Sequence, residues 1–252
     1  MFRLSLVGSL CGALVAILLG PSPAVAEQAL VAVAANFTTV AEQLVEDFES
    51  SVQHSVALTT GSTGKLYAQL RHGAPYDVFL AADQERPRLL VESGLVADGG
   101  LFTYARGRLV LWGADLPAAP DWDSALEIGE ARRIALANPE LAPYGAAARS
   151  ALEAGGHWRR LQAKLVFGEN VGQAFSMVAS GSAQLGLLAR SSVVAFGGPS
   201  GHLVPESLHQ PIRQDAVLLR RAQGNAAARA FFEYLKSPAA QRRLLESGYE
   251  LP

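Results

Sequence analysis

Four short segments hold the residues best placed to do chemistry, and the chemistry they suggest is hydrogen-bond donation to an anion. Asn36 interrupts the apolar run of residues 31–44, Ser62 and Thr63 lie in Gly61-Ser62-Thr63-Gly64, Tyr144 in Pro143-Tyr144-Gly145, and Val171 in Asn170-Val171-Gly172. Each reads as a turn from a strand into a helix. The first N–H groups of such a helix have no intrahelical acceptor, and the positive end of the helix dipole lies beside them. A small residue in or beside each turn lets the main chain approach closely. A fully ionised oxyanion needs donors alone, and the first three turns carry no carboxylate. Taken singly, each turn is equally an ordinary cap, because Asn, Ser and Thr are the preferred capping residues; Tyr144 and Val171 taken singly are packing residues. The ligand reading rests on all four turns falling at corresponding strand ends, where α/β ligand sites form.

Other chemistries fit less well. Gly61-Ser62-Thr63-Gly64-Lys65 invites comparison with a phosphate-binding P-loop. It has Thr59 where that signature needs a glycine and Leu66 where it needs Ser or Thr, so Lys65 reads as a solvated residue that adds positive potential at a cleft rim. Asp77 and Asp83 read as turn and cap residues. The 5 histidines show no metal-ligand spacing, so no bare metal ion and no cofactor is expected. Gly-x-Ser-x-Gly is absent, and an enzyme is not expected; a secreted hydrolase built from scattered residues of the same cleft is the remote alternative.

The elements that must position the four turns follow from hydrophobic periodicity. Phe37, Val40, Ala41, Leu44, Val45 and Phe48 recur at helical spacing behind Asn36. Strands at 55–60 and 78–81 with helices after Thr63 and near 87–92 repeat the pattern, which indicates an α/β fold with a mainly parallel sheet flanked by helices. The run 102–112 is strand-like and precedes a Pro- and Asp-containing stretch at 113–123, so the chain is expected to cross there into a second lobe. That lobe has strands at 134–136, 165–167 and 184–188, helices at 146–154 and through Phe175, and a loop-rich stretch at 197–211. A strand at 212–219 then returns, and helices at 225–235 and 238–246 close the chain on the first lobe. The expected organisation is a leader at 1–26, a first lobe at 27–107, a second at 108–211, and the returning part of the first at 212–252.

The leader has Arg3, an apolar run at 10–19, a Gly20-Pro21 break and Ala24-Val25-Ala26, the form of a cleaved secretory signal peptide. An apolar core of that length is about half what a membrane span needs. Cys11, the 1 cysteine of the chain, falls inside the leader, which leaves the exported part without thiol chemistry or disulfides. The formal net charge of -2 gives no basic field, and nucleic acid is not an expected partner.

With these residues in hand, the chain resembles the periplasmic molybdate-binding proteins of ABC importers. The likeness is carried by Ala34-Ala35-Asn36-Phe37, Thr60-Gly61-Ser62-Thr63-Gly64, residues 73–79, Ala81-Ala82-Asp83, Asn138-Pro139 with Ala142-Pro143-Tyr144-Gly145, residues 170–174, and Leu185-Gly186. Individually these pieces are weak; their order and spacing along the exported chain are specific. The resemblance implies a two-lobed type II periplasmic binding protein fold with the ligand between the lobes. It implies molybdate or tungstate as ligand, Asn36, Thr63, Tyr144 and Val171 as direct ligands, the last two through backbone N–H, and a membrane permease as partner of a periplasmic, monomeric protein. Ser62 supports its loop or adds a second bond. Ala35 departs from relatives that carry a hydroxyl there, so only its N–H remains. Sulfate, another tetrahedral oxyanion, is the alternative ligand, since cavity size decides between them.

Overall fold

The computed structural model describes residues 26–116, 118–128, 131–198 and 200–252. The signal-peptide reading, with Cys11, rests on residues outside these. The chain builds one sheet, crosses to a second and returns. In order come β1 (Gln28–Ala34), α1 (Thr38–Glu49), β2 (Ser55–Gly61), α2 (Thr63–Arg71), β3 (Val78–Leu80), α3 (Glu85–Glu92) and β4 (Val96–Gly107). Then follow β5 (Leu109–Trp112), α4 (Trp122–Ile128), β6 (Ile134–Ala137), α5 (Pro143–Ala154), α6 (Trp158–Leu161), β7 (Leu165–Gly168), α7 (Val171–Ala179), β8 (Leu185–Ala189), α8 (Arg190–Phe196) and β9 (His202–Leu203). The chain ends with β10 (Ile212–Leu219), α9 (Ala226–Tyr234) and α10 (Pro238–Glu246).

The first sheet has the order β2-β1-β3-β10-β4 and the second β7-β6-β8-β5-β9. Each sheet with its helices is a lobe. β1 pairs in parallel with β2 and β3, and β6 with β7 and β8. β10 runs antiparallel to β3 and β4, and β5 antiparallel to β8 and β9. The sheets are therefore mixed, with a parallel core in each. The reason is that β4, β5 and β10 join the lobes directly, without the helical crossover that parallel neighbours require.

The strand-like run at 102–112 is divided between the two sheets, because Gly107 ends β4 and Leu109 begins β5. Helix α5 begins at Pro143, three residues earlier than the apolar periodicity suggests, since proline suits a first helical turn whose N–H has no acceptor in any case. Helix α8 and most of α4 lie in stretches to which the sequence pattern assigns no element, and the short β9 lies in the loop-rich stretch. Helix α8 has Ala189 at its N-cap with no side-chain bond, so the usual start signal is missing.

Apolar clusters cover both faces of each sheet. On the first, Phe37, Leu44, Phe48, Phe231 and Phe232 pack on one side and Leu66, Leu70, Phe79 and Leu90 on the other. On the second, Leu109, Leu136 and Leu152 oppose Trp112, Val178 and Leu188. Each fully buried Leu or Phe contributes roughly 1.5–3 kcal/mol, so both lobes hold a core of their own. Ala34 and Ile212 of the first sheet, with Ala82 just beyond β3, join the second lobe's cluster beside Tyr144 and Val171. The lobes therefore meet in an apolar seam around the strand ends.

Candidate functional site

At that seam lies a small cavity lined by Ala34, Ala35, Asn36, Ser62, Thr63, Ala82, Ala142, Pro143, Tyr144, Asn170 and Val171. All four turns singled out in the sequence meet here, two from each lobe. None of the lining residues is charged. Two wider grooves flank it: one contains Asp83, Glu85, Arg86 and Arg213, the other hydroxyls with Phe175 and Phe196. Of the three, the small cavity is the one that Asn36, Thr63, Tyr144 and Val171 line together.

Each wall has a local cause. Ser62 is the N-cap of α2; its side chain accepts from Lys65 N at 3.3 Å, which fixes Thr63 as the first helical residue. The Thr63 hydroxyl accepts from the Ala82 N–H at 3.2 Å, so its own proton is free to be donated. In α5, Pro143 has no N–H, and Tyr144 supplies the first amide of the helix. Asn170 caps α7 by accepting from Gln173 N at 2.9 Å, which leaves the Val171 N–H without an intrahelical acceptor. Thr63, Tyr144 and Val171 are all nearly fully buried. Gly145 must be glycine, because a Cβ there would stand 2.3 Å from the Ala137 carbonyl oxygen.

Asn36 lines the cavity but is not the helix cap its sequence also suggested. It sits inside the 3-10 turn Ala35–Phe37 and makes no cap bond. Its side-chain amide donates to Gln214 Oε1 and to the Tyr249 hydroxyl, each at 2.9 Å. Its carbonyl accepts from Tyr249 at 2.7 Å and from Ser191 at 3.0 Å. Both amide protons are thus committed to partners outside the cavity lining.

Beneath the cavity the polar groups form one buried network. Gln214 Oε1 also accepts from the Tyr104 hydroxyl at 3.0 Å, and Gln214 Nε2 donates to the Tyr144 hydroxyl at 3.4 Å. Burial pushes the phenols of Tyr104, Tyr144 and Tyr249 up from their ordinary value, and charge repulsion adds to this, from Tyr249 for Tyr144 and from Tyr249, Tyr144, Asp215 and Asp83 for Tyr104. All three stay neutral donors through the physiological range. Gln214, Tyr104, Tyr249 and Ser191 were not singled out by sequence reasoning. The available signal was Arg213-Gln214-Asp215 interrupting an apolar strand.

Bonds across the cleft hold the lobes together around the cavity. Gly64 N donates to the Leu141 carbonyl at 2.9 Å, and Lys65 Nζ pairs with Glu169 at 2.7 Å at the exposed rim. Beside them burial raises the Asp83 carboxyl, against the pull of its ion pair with Arg86. Among the described residues no group of three His, Cys, Asp or Glu could hold a metal ion, and no helix is long and apolar enough to cross a membrane.

Comparison with known proteins is consistent across sequence and structure. Residues 29–250 match the family described as bacterial extracellular solute-binding protein. The molybdate-binding protein ModA of Rhodobacter capsulatus is 42% identical over 90% of this chain and 90% of its own length. The ModA of Azotobacter vinelandii is 42% identical over 90% of this chain and 91% of its own. The solved structure of the Azotobacter vinelandii periplasmic molybdate-binding protein superposes with a TM-score of 0.84, covering 89% of this chain and 99% of that one at 37% identity in the superposition.

Proposed function

Since the chain belongs to the bacterial extracellular solute-binding protein family, we propose that it captures molybdate, and with it tungstate, in the periplasm and delivers the ion to the membrane permease of an ABC importer. The observation that carries this reading is the convergence of three helix N-termini and the Asn36 turn, from both lobes, on one uncharged cavity. It is supported by 42% identity, over nine-tenths of the chain, to two molybdate-binding proteins. The direct donors are the Thr63 hydroxyl and the main-chain N–H groups of Asn36, Tyr144 and Val171, with Ser62 and Ala35 in support.

A dianion can be held without a cation because each charge-assisted hydrogen bond in a closed site contributes about 1.5–3 kcal/mol. Closure supplies the low-dielectric surroundings that give those bonds their strength. Periplasmic binding proteins are known for such hinge closure around a ligand. A protonated phosphate fits poorly, because its proton needs an acceptor and the lining offers no carboxylate. No bond is made or broken, and the protein acts as a monomeric carrier.

Isothermal titration of the exported protein with molybdate, tungstate, sulfate and phosphate tests the proposal. Tight binding is expected for the first two, with sulfate and phosphate weaker by at least about a hundredfold, roughly 2.7 kcal/mol. A folded protein that gives no molybdate heat overturns it.

A further inference from the structure

We propose that Gln214 is a positioning residue that makes lobe closure and alignment of the oxyanion donors one event, by bridging Asn36 of the first lobe to Tyr144 of the second beneath the cavity. The inference rests on the oxyanion-binding reading above.

Gln214 is fully buried on β10, at the point where that strand's register with β4 shifts. Its carboxamide does two different things. The oxygen accepts from Asn36 and Tyr104, both in the first lobe, and the nitrogen donates to the Tyr144 hydroxyl of α5, in the second. No other side-chain type of that size offers an acceptor for two donors and a donor for a hydroxyl without bringing a charge. Asn36 and Tyr144 line the cavity from opposite lobes, and the proposed function gives each a main-chain N–H to the ligand. One side chain thus ties one wall's donor loop to the other wall's helix start.

The bridge sits at the crossing between lobes. A Cβ on Gly107, the last residue of β4, would lie 2.0 Å from the Tyr144 hydroxyl and 2.6 Å from Gln214 Nε2, so the space at the crossing is occupied by this pair. On either side of Gly107, Arg106 and Arg108 both pair with Glu250, next to Tyr249 of the same network. Ser191, at the start of α8, makes a second bond across the lobes at the Asn36 carbonyl. If the lobes separate, the Tyr144 and Ser191 links break while the Asn36, Tyr104 and Tyr249 links remain. The apparent affinity of a ligand for the closed state scales with the population of that state, so loss of the bridge weakens binding and speeds release.

The test uses the full exported chain with Gln214→Met, Tyr144→Phe and both together, reading molybdate Kd and dissociation rate, the radius of gyration at saturating molybdate, and apo melting temperature. Gln214→Met is expected to raise Kd by at least about tenfold, mostly through faster dissociation, and to leave part of the saturated population expanded. Tyr144→Phe keeps the main-chain N–H, loses only the hydroxyl, and is expected to act in the same direction; the double variant is expected to bind no worse than Gln214→Met. A merely structural role would lower the melting temperature and leave Kd and dissociation unchanged, and that result overturns the inference, as does strict additivity of the two losses. Should Gln214→Met fail to fold, an unchanged Kd in Tyr144→Phe has the same force. The parent protein separates the two readings: failure of the parent to bind molybdate overturns the proposed function and this inference together, whereas a binding parent with unaltered variants overturns this inference alone.

Discussion

Asn36 and Thr63 occupy adjoining walls of the cavity, yet they use their polar groups in opposite ways. Thr63 accepts from Ala82 N, which leaves its own proton uncommitted, whereas Asn36 directs both amide protons into the network under the site. Thr63→Val removes the hydroxyl at nearly constant shape and is expected to weaken molybdate binding about 10- to 150-fold, the equivalent of one charge-assisted bond, with calorimetry as the check. Asn36→Ala is expected to lower both affinity and stability, because it strips partners from buried Gln214 and Tyr249; chemical unfolding of the apo protein should show a loss of about 1–3 kcal/mol. Val171→Ala keeps the N–H, so its affinity should stay within about threefold while packing loss lowers stability. At this scale the sequence identified which residues line the cavity. It left open which atoms face it, since a side chain's direction is set by partners such as Gln214, 178 positions away.

At the scale of elements, the site is a set of helix starts. The turns before them were legible because a cap or a proline precedes an apolar periodic run, as with Ser62, Pro143 and Asn170, although the α5 start itself lies three residues before the one expected. Helix α8 was not legible for the opposite reason: an alanine stands at its cap. Gly64, in the first turn of α2, meets the other lobe, and a Cβ there would lie 2.9 Å from the Leu141 carbonyl oxygen and 3.3 Å from Arg86. Gly64→Ala should therefore obstruct closure without harming the open lobe, where alanine favours the helix by roughly 0.5–1 kcal/mol over glycine. The expected outcome is an apo melting temperature that is unchanged or higher together with molybdate affinity reduced about tenfold. Thermal melts paired with titration will show whether the two move in opposite directions.

For the whole molecule, the buried tyrosines make a prediction about alkaline stability. The phenols of Tyr104, Tyr144 and Tyr249 are raised above the ordinary 10.0 mainly by burial. Between the unfolded and folded values the native state holds protons that the unfolded chain has released, so stability falls as pH rises. The contribution is fully present below pH ~10 and is lost as pH climbs through the folded values, with a slope of up to about 4 kcal/mol per pH unit from three groups. Denaturant unfolding from pH 9 to 11 should show this decline, and Tyr104→Phe should lessen the slope by about a third.

Length, composition and alternating pattern by themselves determined the α/β class, the strand-to-helix turns and the family likeness, because local periodicity, caps and turn residues are written in consecutive positions. Tertiary structure decided what those turns amount to. It mixed antiparallel strands into each sheet, brought Thr63, Tyr144 and Val171 to one cavity, turned the Asn36 amide away from it and placed Gln214 between the lobes. These outcomes depend on pairings between residues tens to hundreds of positions apart. Such partners compete for the same donors and space, and only the folded geometry shows which of them prevails.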